Sequence, residues 1–491
     1  MAASSEAPAP GTGNIPLLTA DMLRAAGRRP PEPFRIALAD GRQLTVVRLL
    51  RVLPGKRLVG EGDLAGRRVL AKLFIGPRGE AHCRRERRGI EALLAAGVPT
   101  PPLLATSAMV GGGHALLTSF LDTAENLAAA WAPFAAAPVG DAAAVSLLAP
   151  ALTLLGRLHA AGLAHDDLHF GNFLYDGDGV LLVDGDAVRT ISPGRPLSAT
   201  AACANLAVFL AQLPLSWDVL PASLLDAYDE GDEGAGRPAP DPARLRQRIA
   251  AVRAWRLADF LRKTVRDCTL FAVEHTFTRF SAVVRHEARN LAPLIAAPKA
   301  FVDEACRLPA TARCVVNVAV AERVLTVTRY PVADFSHSLS RLGRSSDAWR
   351  GWREGHRLRF LGIATPAPLA MIEERVGPLR RRAWLINDHC AGTTLGDHLL
   401  ADREPPLAVA RALLALIDDL RRQRISHGRL SATSLLWSAG RLMLTDLETA
   451  RQHRLPATHA RAWRDDRARL LRDWPAGSTL HRWLDAHLPP G

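Results

Sequence analysis

Residues 165–186 read HDDLHFGNFLYDGDGVLLVDGD, and residues 427–448 read HGRLSATSLLWSAGRLMLTDLE. Both stretches set polar residues around a short apolar strand. The offset from His165 to His427 is 262, and it holds without a gap through Asp184/Asp446 and Asp186/Glu448. An internal duplication explains this better than chance does. The copies differ in chemistry. Asp167 is matched by Arg429, His169 by Ser431 and Asn172 by Ser434.

The first copy has the makings of a metal and proton-transfer site. Asp167 and Asn172 stand five apart in a short loop after a helix, and the apolar run VLLV then delivers Asp184. Carboxylate and amide oxygens on neighbouring loops suit a hard cation such as Mg²⁺, which keeps some water and phosphate ligands. Asp167 is then free to accept a proton from a hydroxyl.

The surrounding chain has a repeating order. From about Arg35 to Phe74 it is rich in short apolar runs broken by Pro-Gly and Glu-Gly turns, which predict strands. Residues 80–96 have helical periodicity ending at Gly97, and GVPTP forces an extended link. A further strand, HALLTSFL, precedes a mostly helical region in which 141–161, 198–229 and 242–300 read as helices. The order recurs with strands at VVNVAV and VLTVTRY, a helix over 345–361, GIATPAP, a strand at RRRAWLIND and a helix over 404–424. The expected organisation is a disordered tail over 1–33, a first domain over 34–255, a helical connection over 256–300 and a second domain over 301–491. The tail lacks a basic region followed by an apolar one, so it does not read as a secretory signal.

Composition narrows the partners. The 491-residue chain carries a formal net charge of +13. Residues 301–491 hold 29 Arg, no Lys and 20 acidic residues. An anionic partner suits this balance, and so does a plain arginine-heavy surface. Basic and aromatic residues do not alternate, and there is no zinc-finger or basic-zipper pattern, so nucleic acid is not expected. The six cysteines are scattered without CxxC, which predicts free thiols in a reducing cytosol. The most apolar stretch, 142–156, contains Pro150 and is too short to span a bilayer. Lysine occurs only at 56, 72, 263 and 299, so each one invites a reason why arginine would not serve.

His165-x-Asp167, then Asn172, then a strand ending in Asp184, resembles the catalytic and metal loops of the protein-kinase-like fold. The resemblance implies an α+β class, a bilobal kinase-like fold in tandem, each copy a small β-rich lobe followed by a helical lobe. It implies Asp167 as catalytic base and Asn172 and Asp184 as metal ligands, with Asp186 adding to the metal site because the loop reads Asp-Gly-Asp. It makes Lys72, at the end of VLAKLF, the grip on the ATP phosphates. Glu86 is then its helical partner, Glu91 pointing to another face. Gly55 and Lys56, in the turn LPGKRL, lie where a nucleotide-covering loop belongs, although the turn is not the usual glycine-rich one. Thr118 and Phe120 lie where the hinge meets adenine.

His169, two residues after Asp167, is commoner in small-molecule and sugar kinases of this fold than in protein kinases. Over roughly 35–455 the chain resembles the bacterial lipopolysaccharide core kinase family, notably in RVLPGKRLV, VLAKLF, HDDLHFGN, WREGHRLRFLGIATPAPLA and HGRL. That implies ATP- and Mg²⁺-dependent phosphorylation of a lipopolysaccharide core sugar, a heptose in the first place. It also implies peripheral contact with an anionic membrane surface, at the cytoplasmic face of the inner membrane. A small-molecule phosphotransferase of aminoglycoside or choline type is the alternative, for which the loop DEGDEG at 229–234 is the local support. A non-catalytic nucleotide-binding scaffold is the third reading. The second copy has Arg429 for the base, Gly351 opposite Glu86 with Glu354 near, and only Thr328 or Arg329 for the strand lysine. It reads as a catalytically dead kinase-like domain that either docks an anionic partner or buttresses the first.

Overall fold

The computed structural model describes residues 15–490 apart from 136, 178, 232, 233, 235, 237, 238, 307, 310, 311, 321, 332–344 and 378. The chain divides into two compact units, Met1–Ala254 and Trp255–Gly491.

The first unit begins with a six-stranded antiparallel sheet, β1 (Phe34–Ala37), β2 (Gln43–Leu53), β3 (Arg57–Leu64), β4 (Arg67–Phe74), β5 (Leu103–Ala108) and β6 (His114–Ser119), in the order β1-β2-β3-β4-β6-β5. Strand alternation decides what each face sees. On β4, Val69, Ala71 and Leu73 enter one core, with Leu44, Val46 and Leu117. The intervening Lys72 lies on the opposite face with Phe74, which packs with Leu116, Cys83 and Ile90 beside helix α2 (Gly79–Ala95).

The tail expectation fails for its second half. Helix α1 (Ala20–Ala25) buries Leu23 against the sheet, Leu18 and Ala20 join the same core, and Leu18 N–H donates to Arg35 O. The Ala/Pro/Gly/Ser character that suggested disorder stops before Leu17, and Thr19 supplies an N-cap. Residues 1–14 lie outside the described residues.

The helical part is organised by helix α3 (Ala142–Ala160), which runs on past the predicted apolar stretch. By length and hydropathy it could cross a membrane, but Leu148, Leu152, Leu155 and Leu158 are buried in the unit's main core. Helix α4 (Ala199–Leu210) packs into the same core. The strand Leu163–His165 pairs with Val188–Thr190, and the hairpin Phe173–Asp176/Gly179–Leu182 lies between them in sequence. The residues of the opening motif therefore sit on two short β-elements backed by α3 and α4.

The second unit repeats this plan with one deletion and one addition. Its sheet contains β7 (Phe271–His275), β8 (Arg279–Val284), β9 (Cys314–Val320), β10 (Arg323–Tyr330), β11 (Pro368–Val376) and β12 (Leu379–Asp388), in the order β7-β8-β11-β12-β10-β9. Strands β9, β10, β12 and β11 match β3, β4, β6 and β5 in order and direction, with helix α5 (Asp347–Phe360) in the place of α2. Among the described residues nothing matches β1 or β2, so β9 is an edge strand.

The helical connection over 256–300 is thus corrected. Only its ends are helical, and 271–284 is a β-hairpin that extends the second sheet. Phe271, Phe280 and Ala282 bury one face of it against Trp352 and Met371. Alternating aromatic and β-branched residues there read as strand, and the long helix before them obscured it. Cys306 and Cys314 form a disulfide rather than free thiols. Cys83, Cys203, Cys268 and Cys390 are free.

Glycine permits close helix packing in the first unit. A Cβ on Gly156 of α3 would lie 2.2 Å from the carbonyl oxygen of Tyr228, which belongs to rigid helix backbone. Gly156→Ala is expected to cost the first unit about 1–3 kcal/mol, as overpacking of a close-packed contact does. Denaturant unfolding followed by circular dichroism checks this. An unchanged first transition would show that the two helices can separate at no cost.

Candidate active site

The centre of the first unit is an ion cluster joining its two halves. Lys72 Nζ, on β4, donates to Glu86 Oε1 on α2 and to Asp184 Oδ1 at 3.2 Å. Glu86 is 1% exposed. Its carboxylate also accepts the Gly185 N–H at 3.1 Å and the Asp186 N–H at 3.3 Å. One buried carboxylate therefore holds both the lysine and the backbone of the loop that carries Asp184.

The approach is possible because α2 lies directly on that loop. A Cβ on Gly89 would fall 1.9 Å from Gly185 O, and one on Gly185 would fall 2.5 Å from Glu86 O. This accounts for a middle glycine in Asp-Gly-Asp. Asp184 itself adopts the left-handed region, φ 74° and ψ 65°, as Asp446 does at φ 56°. A non-glycine residue held there is strained and needs surrounding bonds to keep it.

Arg57, the first residue of β3, completes the cluster. Its guanidinium lies 3.9 Å from both Glu86 and Asp184. Nothing in the sequence singled it out. Burial pushes the Asp184 carboxyl up, but Lys72 and Arg57 outweigh that and hold it below its ordinary 3.8. A depressed carboxylate pKa contributes stability above the unfolded value and loses it as pH falls through the folded value. The Lys72–Asp184 link therefore persists to pH below 3.8.

The Asp167 loop is fixed by His165. That ring is fully buried. Its Nδ1 accepts the Asp167 N–H at 3.2 Å, so Nε2 carries the proton and donates to Val183 O at 3.1 Å. Burial lowers the His165 pKa, which keeps the ring neutral. Asn205 on α4 closes the loop from behind, accepting the His165 N–H at 3.1 Å and donating to His165 O at 2.8 Å. Asn172 Nδ2 donates to Asp167 O at 2.8 Å, which leaves the amide oxygen free of that bond. The Asp167 side chain is 59% exposed, with His169 Nε2 at 3.6 Å.

The remaining expected residues divide. Asp186 faces α2, where Arg85 Nε donates to Oδ1 and His82 Nδ1 lies 3.5 Å from Oδ2. That arrangement ties one of its oxygens to α2 by a hydrogen bond. Gly55 has φ 66°, and the Lys56 carbonyl accepts N–H groups from Ile75 at 2.9 Å and Gly76 at 3.0 Å. The β2–β3 turn is thereby pinned to the end of β4, with the Lys56 side chain exposed. Thr118 is buried on β6. The Phe120 ring, just beyond that strand, lies under the Arg68 guanidinium at 4.8 Å.

The second unit keeps the loop frame and replaces the cluster. His427 Nε2 donates to Thr445 O at 2.8 Å, as His165 does to Val183 O. Buried Asp466 takes the place of Asn205 and accepts the His427 N–H at 2.7 Å and the Gly428 N–H at 3.0 Å. Arg429 is exposed, and Ser434 Oγ donates to Ser431 O at 2.9 Å. At the position of Glu86 stands Gly351, whose Cβ would meet Leu385 at 2.8 Å. Glu448 turns inward instead. Tyr330 Oη donates to it, and Arg313 pairs with Asp446 and, at 3.3 Å, with Glu448. Glu354 pairs with Arg357 at 2.7 Å.

An antiparallel sheet, one helix bearing a Glu paired to a strand Lys, and a carboxylate on a loop after the helical core mark the protein-kinase-like α+β fold. Residues 67–195 and 332–482 match the lipopolysaccharide kinase (Kdo/WaaP) family, one segment in each unit and together more than half of the chain. The chain belongs to that family. No curated protein sequence matches it. Among solved structures, "WaaP in complex with acyl carrier protein" is 19% identical, with 43% of this chain and 86% of that one covered and a TM-score of 0.31. "Structure of vaccinia related kinase 3" is 13% identical, with 49% and 94% covered and a TM-score of 0.29.

Removing one member of a buried charged pair leaves the other unpaired, which costs about 3–5 kcal/mol. Glu86→Ala is expected to lose that much stability. Arg57→Ala, which removes two ion pairs at 3.9 Å and a cation–π contact with Phe74 at 5.9 Å, is expected to lose less, about 1–2 kcal/mol. Urea unfolding of both variants makes the comparison, and equal losses would contradict the central role given to Glu86.

Proposed function

We propose that the first unit transfers the γ-phosphoryl group of ATP to a sugar hydroxyl of the lipopolysaccharide inner core, a heptose hydroxyl in the first place. The observation that carries this reading is Lys72 held between Glu86 on α2 and Asp184 on the opposite loop. A lysine so placed is fixed for anionic oxygens arriving between the halves. The family supplies the lipopolysaccharide class of acceptor.

In this reading each residue has a role. Lys72 neutralises phosphate oxygens, and Glu86 keeps it aimed. Thr118 and Phe120 border the adenine end, and the pinned Gly55–Lys56 turn covers the phosphates. Asp184 and the Asn172 amide are hard oxygen donors, which fit Mg²⁺, an ion that fills its remaining positions with water and phosphate. Among the described residues no group of three or more His, Cys, Asp or Glu forms a closed cage, and a two-ligand Mg²⁺ site needs none. When bound, the ion offsets charge on the phosphates. Asp167, exposed on a rigid loop, accepts the proton of the acceptor hydroxyl. The hydroxyl oxygen forms its bond to the γ-phosphorus while the bond to the bridging oxygen breaks and ADP leaves. Asp186 latches the loop to α2.

The second unit is a pseudokinase in this reading. Arg429 stays protonated and cannot act as a base. The net charge of +13 suits peripheral contact with an anionic, membrane-held acceptor at the cytoplasmic face of the inner membrane.

Mass spectrometry of the lipopolysaccharide core from cells with and without the protein is expected to differ by one phosphate. Asp167→Asn is expected to lower the transfer rate about 10²–10⁴-fold, the range for a lost general base. An unchanged core phosphate content in cells carrying only that variant would overturn the proposal.

A further inference from the structure

The second unit encloses a cavity of about 360 Å³ between β9, β10, β12 and the loop ending in Glu448. That lies within the range of sites for drug-sized ligands. Its walls are aliphatic on two sides, from Val315 and Leu385 of the sheet and from Leu436 and Leu447 opposite. Cys390, just past the end of β12, also lines it. Among the described residues the backbone N–H and C=O of Cys390 make no hydrogen bond. An open donor and acceptor beside two apolar walls match the edge of a planar heterocycle.

The far end of the cavity is less suited to a metal–triphosphate group than to an uncharged ligand. Asp446 and Glu448 could serve a cation, but Arg313 already pairs with both. Burial acts to lower the Arg313 pKa, and Glu448 and Asp446 outweigh it, so the guanidinium stays charged. Burial and Glu448 likewise raise the Tyr330 pKa, so it stays a neutral donor to that carboxylate. Two carboxylates against one guanidinium leave a net negative end, which repels phosphates. No lysine faces it, and among the described residues the strand hairpin that covers phosphates in the first unit has no counterpart. Thr328 and Asn387 offer uncharged polar groups for hydroxyls.

We propose that this cavity is a binding site for a neutral purine nucleoside, occupied without a divalent cation. The base lies between the aliphatic walls with its edge on Cys390, and the ribose hydroxyls face Thr328 and Asn387. Arg313 stands where a metal ion would otherwise join Asp446 and Glu448. The site is independent of whether the first unit phosphorylates lipopolysaccharide.

The test uses the full-length protein, an azido-adenosine photoprobe and EDTA, followed by peptide mapping. The expected result is label in residues 385–392 or 436–448 that added Mg²⁺ does not increase. Val315 is 50% exposed on the edge strand, so Val315→Trp can close the cavity mouth without disturbing the core. It is expected to reduce that label about tenfold, a loss of about 1.4 kcal/mol in binding. Asn317→Trp, at another exposed lining position of β9, serves if the first variant melts early. Label confined to residues 1–254, label that requires Mg²⁺, or label unchanged in the folded variants would overturn the proposal.

Discussion

The Glu86 carboxylate is the constraint on which the first unit depends. It is buried, and it bonds to an ammonium group and two backbone N–H groups at once. A carboxylate in that position is tolerable only with all of those partners. Its satisfaction fixes three things together: the reach of Lys72 from β4, the height of α2 above the loop, and the left-handed backbone at Asp184. The glycines at 89 and 185 are consequences of the same contact, since a side chain on either would push α2 away. The site is thus a packing solution as well as a set of charges.

The second unit shows what happens when that carboxylate is removed and the frame is kept. With Gly351 on α5, the space is taken by Leu385 and approached by Tyr330, and the acid arrives from the loop as Glu448. Arg313, just before β9, then does for Asp446 what Lys72 does for Asp184. Arg57 at the start of β3 lies at the corresponding point of the first unit, 3.9 Å from its carboxylates. One duplicated scaffold has therefore reached two charge arrangements from the same entering strand. The first holds a lysine between Glu86 and Asp184, and the second closes its acids with an internal arginine.

Much of this was legible in the sequence because the chemistry is local. The spacing of Asp167, Asn172 and Asp184 follows from one loop and one hairpin. The duplication is exposed by a constant offset. Lys72 stood out because lysine is rare here. What escaped depends on contacts between distant segments. Arg57 enters the cluster through the register of β3 on β4. The Arg85–Asp186 pair joins residues 101 apart in the chain. The Cys306–Cys314 bond joins residues eight apart with no motif to announce it. The hairpin over 271–284 followed a long helix, and the packed segment around α1 followed a composition typical of disorder. In both cases a strong neighbouring signal was carried too far.

The central claim is that phosphoryl transfer belongs to the first unit alone, at the loop held by Glu86. Phosphorus NMR of lipopolysaccharide core incubated with purified full-length protein, ATP and Mg²⁺ tests it most directly. A new phosphomonoester signal is predicted for the unaltered protein and for Arg429→Ala, and no such signal for Asp167→Asn. A signal that survives Asp167→Asn, or that vanishes with Arg429→Ala while the protein remains folded, would contradict the account.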